Sequence, residues 1–445
     1  MRWSSPGLRV RLLVTVVASA ACSRASEPVQ HTSAEAPSAS VAAPAPPDAG
    51  TSGEALNVIL ITVDSLRADM PWAGYGRPIA PRMTAFAETA VVYDRFYSIS
   101  SYTAMSVGGM LSGRYPSELD RNGYYFAGYP ESVLFFPELL RRAGVKTLSA
   151  QAHFYFDQRA GFRRAFDVYE MVPGIGEDHQ TDGNITSPAH LALAKKVLSD
   201  KASTGGRFFA WFHFLDPHDK YQAHADIEYG RSTRDLYDGE VTFTDRHVGE
   251  LLDFVSAEPW GARTAVVISA DHGEAFGEHP SCFRHGFELW DVLTHVPLMI
   301  RAPGIAPRRV TTPRSAIDLA PTILDLFGVP KDPRMEGTSL VPELRGAEPE
   351  ERDVILDLPR TSNSDRRRAL IRGRHKLIAL GDDDAFQLYD LESDPREEHD
   401  VRWGSAAVFD EMKAGYAAWS ARIPSVCPLP TSKIKLRGKK RYKPC

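Results

Sequence analysis

The sequence predicts an α/β fold in which helices cover both faces of a mostly parallel sheet, followed by a smaller α+β part. In residues 56–330, continuous apolar runs alternate with segments of helical period, as is typical of parallel strands joined by helices. The runs are not interrupted at every second position, which indicates strands that are buried on both faces. Beyond Pro330 the pattern changes to short strands and turns, which predicts a subdomain at residues 331–424.

Composition excludes some classes of protein. The chain has 445 residues, of which 43% are hydrophobic and 24% charged, an ordinary globular balance that allows a large core. Its formal net charge of −5 gives no reason to expect a nucleic-acid partner. Because no run of about 18 apolar residues follows the N-terminal segment, we expect no membrane span in the mature body.

The N-terminal segment has the pattern of an export signal. Three arginines precede a short apolar core at residues 12–18, and small residues lead up to Cys22. Residues 1–22 resemble a bacterial lipoprotein signal, with Cys22 as the lipidated first residue of the mature chain. Ordinary secretory cleavage after Ala21 is the alternative. Either form predicts that the protein is exported from the cytoplasm, and lipidation predicts a lipoprotein anchored to a membrane of the cell envelope.

Two terminal segments are unsuited to a packed core. Residues 23–55 are rich in alanine, proline and serine with few bulky apolar groups, so we expect a disordered tether. Residues 425–445 form a basic tail, which we expect to be solvated, with contact to anionic lipid or polysaccharide as the alternative.

Three cysteines remain after Cys22. Cys427 and Cys445 bracket the basic tail and could form a disulfide in an oxidising compartment, whereas Cys282 lies elsewhere in the sequence. The odd number leaves at least one thiol free or bonded to another chain.

Continuous apolar runs mark the strands of the predicted sheet. The first, residues 57–63, reads NVILITV and predicts a buried parallel strand. The other predicted strands of the main domain are residues 91–96, 145–150, 207–215, 264–268 and 296–300.

Helical spacing marks the segments between the strands. In residues 81–90, for example, Met83, Phe86, Ala87 and Ala90 share one face. The other predicted helices are residues 104–111, 135–143, 188–200, 235–258 and 313–327. In the C-terminal subdomain we expect strands at 354–358, 368–372, 375–380 and 387–391, and a helix at 406–422.

Polar side chains follow three of the predicted strands: Asp64, His218, and the pair Asp271 and His272. In open α/β sheets ligands bind at the carboxyl ends of the strands, and carboxylate and imidazole groups are ligands of divalent metals. Each residue has a plainer interpretation, a helix N-cap for Asp64 and a polar surface loop for the Asp-His pair. Three such strand ends on one sheet edge favour a shared site. His213, inside a strand, is predicted to be a hydrogen-bonded core histidine.

Thr103 lies at the start of the helix predicted at residues 104–111. The positive end of a helix dipole stabilises negative charge on a nucleophile or a bound oxyanion, so Thr103 is a candidate nucleophile. The alternative is a plain N-cap threonine.

Six segments resemble the sulfatase-type branch of the alkaline phosphatase superfamily, and the likeness extends over residues 57–400. They are NVILITVDSLRAD (57–69), APRMTAFAETAVVYDRFYS (80–98), SADHGEAFGEH (269–279), FRHGFELWDVLTHVPLMIRAPG (283–304), HKLIAL (375–380) and FQLYDLESDPREEHD (386–400). The resemblance implies an alkaline phosphatase-like fold and a hydrolase acting on ester bonds.

The resemblance also implies a set of site residues. One divalent cation (Ca, Mg, Mn or Zn) would be held by Asp64, Asp271 and His272, with the oxygen of Thr103 as a further ligand. His218 and His285 would contact the anionic ester oxygens or the leaving group, and both are candidate catalytic residues. His285 stands where many sulfatases have a lysine. Ser106 and Arg114, from the segment that matches the nucleophile motif, complete the predicted substrate-binding set.

The sequence departs from the family at the nucleophile. Family sulfatases use Cys-x-Pro-Ser-Arg followed by a threonine, a glycine and an arginine, and the cysteine or serine is oxidised to formylglycine. Counting back from residues 112–114 places Thr103 at this position, with Met105 for the proline and Val107 for the arginine. Since threonine cannot be converted to an aldehyde, formylglycine chemistry is not expected.

This difference favours phosphorus over sulfur as the reacting centre. A divalent cation lowers the pKa of a hydroxyl and offsets charge on a transferring phosphoryl group. Formylglycine hydrate can expel sulfate by hemiacetal cleavage, an exit that a sulfo-threonine lacks. The sequence therefore predicts a metal-dependent hydrolase or transferase of phosphate or phosphonate (di)esters, with a small-molecule, glycan or lipid ester as substrate. The alternatives are a sulfuric ester hydrolase without formylglycine and a catalytically degenerate protein that binds anionic glycans.

Overall fold

The computed structural model describes residues 56–123, 126–157, 160–175, 185–280, 282–360 and 365–428. The predictions for the signal segment, for Cys22, for the tether and for all but the first four residues of the basic tail lie outside these ranges. So does Cys445, and its pairing with Cys427 stays a prediction. Within the described ranges, no helix has both the length and the apolar composition needed to cross a membrane.

The described strands are β1 (Asn57–Val63), β2 (Val91–Tyr93), β3 (Phe96–Tyr97), β4 (Lys146–Gln151), β5 (Val168–Met171), β6 (Phe208–Phe214), β7 (Thr264–Ala270), β8 (Ala275–Phe276), β9 (Phe283–Arg284), β10 (His295–Val296), β11 (Leu298–Arg301), β12 (Arg308–Val310), β13 (Arg314–Ser315), β14 (Val354–Leu358), β15 (Arg367–Arg372), β16 (His375–Leu380) and β17 (Ala385–Asp390). The described α-helices are α1 (Pro81–Ala87), α2 (Thr103–Ser112), α3 (Phe136–Arg142), α4 (Ser187–Ser199), α5 (Lys201–Thr204), α6 (Thr233–Ala257), α7 (Asp291–Thr294), α8 (Leu319–Leu326), α9 (Val341–Leu344) and α10 (Ala406–Arg422).

The main sheet runs in the order β12-β2-β11-β7-β1-β6-β4-β5 over the described residues. β1 lies at its centre and pairs in parallel with β6 and β7, while β4 and β5 continue the parallel part. Only β11 runs against its neighbours β2 and β7 among the pairings of this sheet described here. All seven residues of β1 are buried, which explains its uninterrupted apolar sequence. The predicted mostly parallel sheet is confirmed.

The larger helices pack in two groups. α1 and α4 contact α6, and α2 and α3 contact α8. α3 from one group and α4 from the other both contact β4, whose side chains are buried except for that of Lys146. The arrangement matches the predicted sheet between two helical layers.

Three predicted elements have wrong boundaries. The helix predicted at 313–327 begins only at Leu319, because residues 314–315 pair with β3 and Ser315 then accepts a hydrogen bond from the Ile317 N–H. The strand predicted at 296–300 is divided at Pro297 into β10 and β11, which belong to different sheets. The strand predicted at 91–96 is divided in the same way into β2 and β3. β5 was not predicted.

The C-terminal part consists of an antiparallel sheet, β14-β15-β16-β17, with α10 packed on β15 and β16. It is joined to the main sheet domain through Asp357, whose buried carboxylate accepts hydrogen bonds from the backbone and hydroxyl of Ser117 and from Arg368. The predicted α+β subdomain is therefore present. Its predicted boundary at residues 330 and 331 stays a prediction.

Candidate active site

The carboxyl ends of β1 and β7 bring three polar side chains together. Val63 pairs with Ala270 in the parallel register, so the residues that follow, Asp64 and Asp271, leave the sheet side by side. One ligand atom from each of Asp64, Asp271 and His272 lies within 4.8 Å of the others, and all three residues are buried. The clustering that the strand ends predicted is confirmed.

Thr103 completes this cluster from another part of the fold. Its Oγ1 lies 3.1 Å from His272 Nε2 and 3.3 Å from Asp64 Oδ2. The N-cap position of α2 belongs to Tyr102, and Thr103 is the first residue of the helix. Thr103 therefore does not serve as a plain N-cap, and its hydroxyl points at the carboxylate and imidazole groups. It is partly exposed, unlike the buried acidic residues behind it.

The cluster has the ligand types of a cation site, and one of its carboxylate oxygens lacks a hydrogen bond within the described residues. Asp271 Oδ2 is buried without a hydrogen-bond partner in the described part of the chain, while Oδ1 accepts the N–H groups of Ser65 and His272. His272 Nδ1 bonds to the carbonyl of Gly273 at 2.9 Å, which leaves Nε2 to face the cluster. A buried carboxylate oxygen without a hydrogen bond costs free energy unless a cation or proton satisfies it. The residues fit a divalent metal.

Electrostatics favour the forms of these groups that bind metal. Burial raises the pKa of Asp64, but the charges of His218 and His272 and the hydrogen bond from His213 outweigh it, so that the pKa lies well below its usual value. Burial lowers the pKa of His272 in spite of the neighbouring carboxylates. An ionised aspartate beside a neutral imidazole is the combination that a divalent cation requires.

His213 is the hydrogen-bonded core histidine that the sequence predicted, and it also supports the metal cluster. Its Nδ1 lies 2.7 Å from Thr62 Oγ1, which accepts a hydrogen bond from the indole N–H of Trp211. Its Nε2 lies 3.1 Å from Asp64 Oδ2. Since Trp211 can only donate, this buried chain of bonds holds the ring so that Nε2–H points at Asp64.

His218 and His285 lie in a row of imidazole rings beside the cluster. The ring centroids are 4.3 Å apart for His272 and His285, 4.8 Å for His285 and His218, and 6.1 Å for His218 and His153. The two predicted histidines therefore lie beside the cluster of Asp64, Asp271 and His272. His153 was missed, although it follows β4 as His218 follows β6, and its position after a strand is a signal that could have found it.

Glu274 supports His285, a contact that the sequence does not reveal. Both of its carboxylate oxygens lie 3.2 Å from His285 Nδ1, and it is buried. Burial lowers the pKa of His285, but the charge of Glu274 outweighs this effect and raises the pKa to about 9. The imidazolium places one positive charge where many sulfatases have a lysine.

The other two predicted substrate contacts, Ser106 and Arg114, lie within and just after α2. Arg114 lies beyond the C-terminal end of α2, which ends in Gly113, and a ten-residue helix at about 1.5 Å per residue separates it from Thr103 by roughly 15 Å. The role of Arg114 in substrate binding stays a prediction. Ser106 is buried in α2, and its hydroxyl donates to the carbonyl of Ser100 at 2.7 Å, which anchors the loop before Thr103.

A cavity of about 380 Å³ adjoins His285. Phe283 and Phe287 are exposed at its walls, and the polar side chains of Glu288, Arg367 and Gln387 also line it. Cys282 is buried against the same cavity. The cavity can receive a substituent of an ester bound beside His285.

The fold and this cluster define a class of protein. Residues 56–329 match the Sulfatase family model, and residues 277–414 match the model for the C-terminal region of N-sulphoglucosamine sulphohydrolase. The chain belongs to the sulfatase family and is a hydrolase acting on ester bonds. The family is metal-dependent, in agreement with the cluster of Asp64, Asp271 and His272.

One curated relative and two solved structures show which proteins the chain is similar to. Choline-sulfatase of Rhizobium meliloti is 27% identical over 424 residues, which cover 77% of this chain and 81% of the relative. Among solved structures, Ps i-CgsB in complex with k-i-k-neocarrahexaose has a TM-score of 0.70 at 21% identity, covering 82% of this chain and 93% of that one. The phosphonate monoester hydrolase of Silicibacter pomeroyi has a TM-score of 0.68 at 20% identity, covering 83% and 96%. Both structural likenesses show the fold.

Proposed function

We propose that this protein is a metal-dependent hydrolase or transferase of phosphate or phosphonate (di)esters in which Thr103 is the nucleophile. The observation that carries the proposal is the position of Thr103 Oγ1, 3.1 Å from His272 and 3.3 Å from Asp64. The side chain at this position is a threonine, which cannot be oxidised to formylglycine. A hydroxyl aimed at a carboxylate-imidazole cluster is the remaining nucleophile.

The first step forms a covalent bond to threonine. Thr103 Oγ1 releases its proton to solvent as it attacks phosphorus, a new oxygen–phosphorus bond forms, and the bond from phosphorus to the leaving oxygen breaks. A divalent cation held by Asp64, Asp271 and His272 would supply the charge that lowers the hydroxyl pKa and offsets the negative phosphoryl oxygens. The N-terminus of α2 adds its partial positive charge at the same point.

The histidine row acts on the substrate. Because Glu274 occupies Nδ1 of His285, and the carbonyl of Asp219 lies 2.5 Å from Nδ1 of His218, each ring presents Nε2 to the site. These atoms bind the anionic oxygens, and one of them gives a proton to the leaving oxygen. In the second step, water or an acceptor alcohol attacks the phospho-threonine and releases Thr103.

The cavity beside His285 would hold one substituent of the ester. Its exposed aromatic walls and polar rim suit an organic group with both apolar and hydrogen-bonding parts. Small-molecule, glycan and lipid esters are all within the proposal.

A panel of esters tests the proposal. The purified protein is assayed with a bis-aryl phosphodiester, an aryl phosphonate and an aryl sulfate, each with added Mn, Zn, Mg or Ca. We expect phosphodiester or phosphonate turnover that Thr103→Ala abolishes and that Thr103→Ser retains within about tenfold. Full activity of Thr103→Ala would refute the nucleophile.

A sulfuric ester hydrolase without formylglycine is the second candidate, and the choline-sulfatase relative favours it. Turnover of the aryl sulfate alone would select it. Absence of turnover with all three esters, together with retained binding of anionic glycans, would select a degenerate binding protein. The intact cluster of two aspartates and a histidine weighs against that third outcome, since a binding protein has no need of it.

We also propose that the protein is exported and held at the cell envelope by lipid at Cys22. The pattern of residues 1–22 supports this location. Labelling of the wild-type protein with radioactive palmitate in a bacterial host, with loss of label in Cys22→Ala, is the expected result. Equal labelling of both proteins, or release of the wild type into the soluble fraction, would exclude the anchor.

A further inference from the structure

The C-terminal subdomain places the buried ammonium group of a lysine against the catalytic domain. Lys376 of β16 is completely buried, and its Nζ lies 2.6 Å from Asp291 Oδ1 and 2.8 Å from Glu397 Oε1. Burial lowers the pKa of Lys376, but the two carboxylates outweigh this effect and raise it. Glu397 Oε2 also accepts the backbone N–H of Asp291 at 2.6 Å. We call these three residues the Lys376 triad. They fix Asp291 by its side chain and by its backbone.

Asp291 begins α7, and α7 lies against the turn that carries a metal ligand. The N–H of Gly273, which directly follows His272, donates to the carbonyl of Leu293 at 2.8 Å. A Cβ atom on Gly273 would lie 2.2 Å from the carbonyl oxygen of Val292. The backbones of the turn and of α7 are therefore in direct contact, with no room for a side chain between them. A shift of α7 would displace His272.

α7 also bonds to the loop that carries the nucleophile. The N–H of Ser98 donates to the carbonyl of Thr294 at 2.8 Å. The hydroxyl of Ser98 donates to the carbonyl of Ser100 at 2.7 Å, and the hydroxyl of Ser106 in α2 donates to the same carbonyl at 2.7 Å. This chain of bonds connects α7 with the first turn of α2, where Thr103 lies.

We propose that the Lys376 triad sets the position of α7 and, through it, the distance between Thr103 and His272. Lys376 is thus a positioning residue supplied by the C-terminal subdomain. This inference rests on the proposed role of Thr103 as nucleophile. A displacement of about 1 Å at a reacting group can cost on the order of a hundredfold in rate, so a distant ion pair can control the chemical step.

Substitution of the buried lysine tests the inference. Lys376→Met should lower kcat by about 10- to 100-fold while KM stays within about twofold, since no triad member lines the cavity beside His285. Asp291→Asn keeps the backbone N–H and the size of the side chain and should give a smaller loss of kcat in the same direction. It replaces Lys376→Met as the deciding variant if the methionine protein does not fold.

Arg352→Met is the matched control. It removes the partner of another buried carboxylate, Asp318, with which Arg352 makes bonds of 2.8 and 3.0 Å, and no hydrogen bond or ion pair described for Arg352 involves α7 or residues 98–103. We expect this variant to lose stability and keep the wild-type kcat at temperatures where it is folded. Equal kcat in the control and in both triad variants would overturn the positioning role.

Hydrogen exchange gives a readout that does not depend on turnover. The amides of Gly273 and Ser98 are protected by bonds to α7, so peptides that contain them should exchange faster in Lys376→Met than in Arg352→Met. Unchanged exchange of both peptides would contradict the inference. If Thr103→Ala keeps wild-type turnover, Thr103 is not the nucleophile, and the positioning role of Lys376 falls with it. If Thr103→Ala loses turnover but Lys376→Met and Asp291→Asn keep the wild-type kcat, only the positioning role is refuted.

Discussion

Asp64 is supported by His213, which is not itself one of the proposed metal ligands. His213 donates to Asp64 Oδ2 and is itself held by Thr62 and Trp211. Such hydrogen bonds fix the direction of a ligand's lone pairs and raise metal affinity. The sequence could identify His213 as a core residue, but not the bond, because the two residues come from different strands.

His213→Asn should therefore weaken metal binding by about 10- to 100-fold. Isothermal titration of the metal-free protein with Mn measures this affinity. His190→Asn is the control, because His190 is equally buried but bonds only to the carbonyl of Ala150 among the contacts described for it. Equal affinities in wild type and His213→Asn would show that the bond has no part in metal binding.

Glu274 governs the charge of His285. With a pKa of about 9, the imidazolium persists through neutral pH and loses its proton only in alkaline solution. Glu274→Gln removes the charge that holds the proton, so the pKa of His285 falls, and the alkaline limb of the pH profile of kcat/KM should move to lower pH by about one unit or more. A profile that coincides with that of the wild type would exclude His285 as the group that titrates there.

At the scale of elements, α2 depends on a close contact with an aromatic ring. The hydroxyl of Tyr129 donates to the carbonyl of Ala104 at 2.6 Å. A Cβ atom on Gly108 would lie 2.2 Å from that hydroxyl oxygen. Only glycine lets the ring lie on the helix that begins with Thr103.

Gly108→Ala should destabilise the fold by about 1–3 kcal/mol, the usual cost of overpacking a core. Gly239 of α6 is the matched control, since its added Cβ would meet only Ile227, at 3.9 Å. Gly239→Ala should stabilise the protein by about 0.4–1 kcal/mol, because alanine favours the helix. Urea denaturation measures both, and equal signs for the two variants would contradict this interpretation.

The elements that the sequence predicted well are those whose own residues specify them. β1 and α10 have the predicted bounds because a buried apolar run and helical spacing are local signals. The errors at residues 91–96, 296–300 and 313–327 have a tertiary cause, since in each case a two-residue strand joins the small sheet β10-β3-β13. Pairings with distant residues leave no periodic pattern.

The site residues likewise divide into those that the sequence indicated and those that only the structure revealed. Strand ends indicated Asp64, His218, Asp271 and His272, a helix start together with the family motif indicated Thr103, and the family motif indicated His285. The supporting residues His213, Glu274 and Lys376 act through contacts with residues distant in sequence or in a folded loop. Their roles could be found only from the geometry.

At the scale of the whole molecule, the carboxylate of a buried ion pair joins the two parts of the fold. Arg368 and Asp357, both in the C-terminal sheet, form this pair at 2.8 Å, and Asp357 also bonds to Ser117 of the main domain. Both charged side chains are almost completely buried. The C-terminal sheet is therefore fixed to the catalytic domain and can position residues of the site.

Asp357→Asn leaves the charge of Arg368 buried and unpaired, and should cost about 3–5 kcal/mol of stability. Chemical denaturation followed by circular dichroism measures this loss. The control is Asp226→Asn, which breaks an exposed pair with Arg246 and should cost less than about 1 kcal/mol. Similar small losses in both variants would mean that the two parts are held together in another way.

The most direct test of the central claim is mass spectrometry of a trapped reaction intermediate. The enzyme is quenched in acid during turnover of a phosphodiester or phosphonate, digested, and the peptide that contains Thr103 is sequenced. The account predicts a phosphoryl adduct on Thr103 that is absent from Thr103→Ala. Turnover that proceeds in the wild type and in Thr103→Ala alike, with no adduct on this peptide, would contradict it.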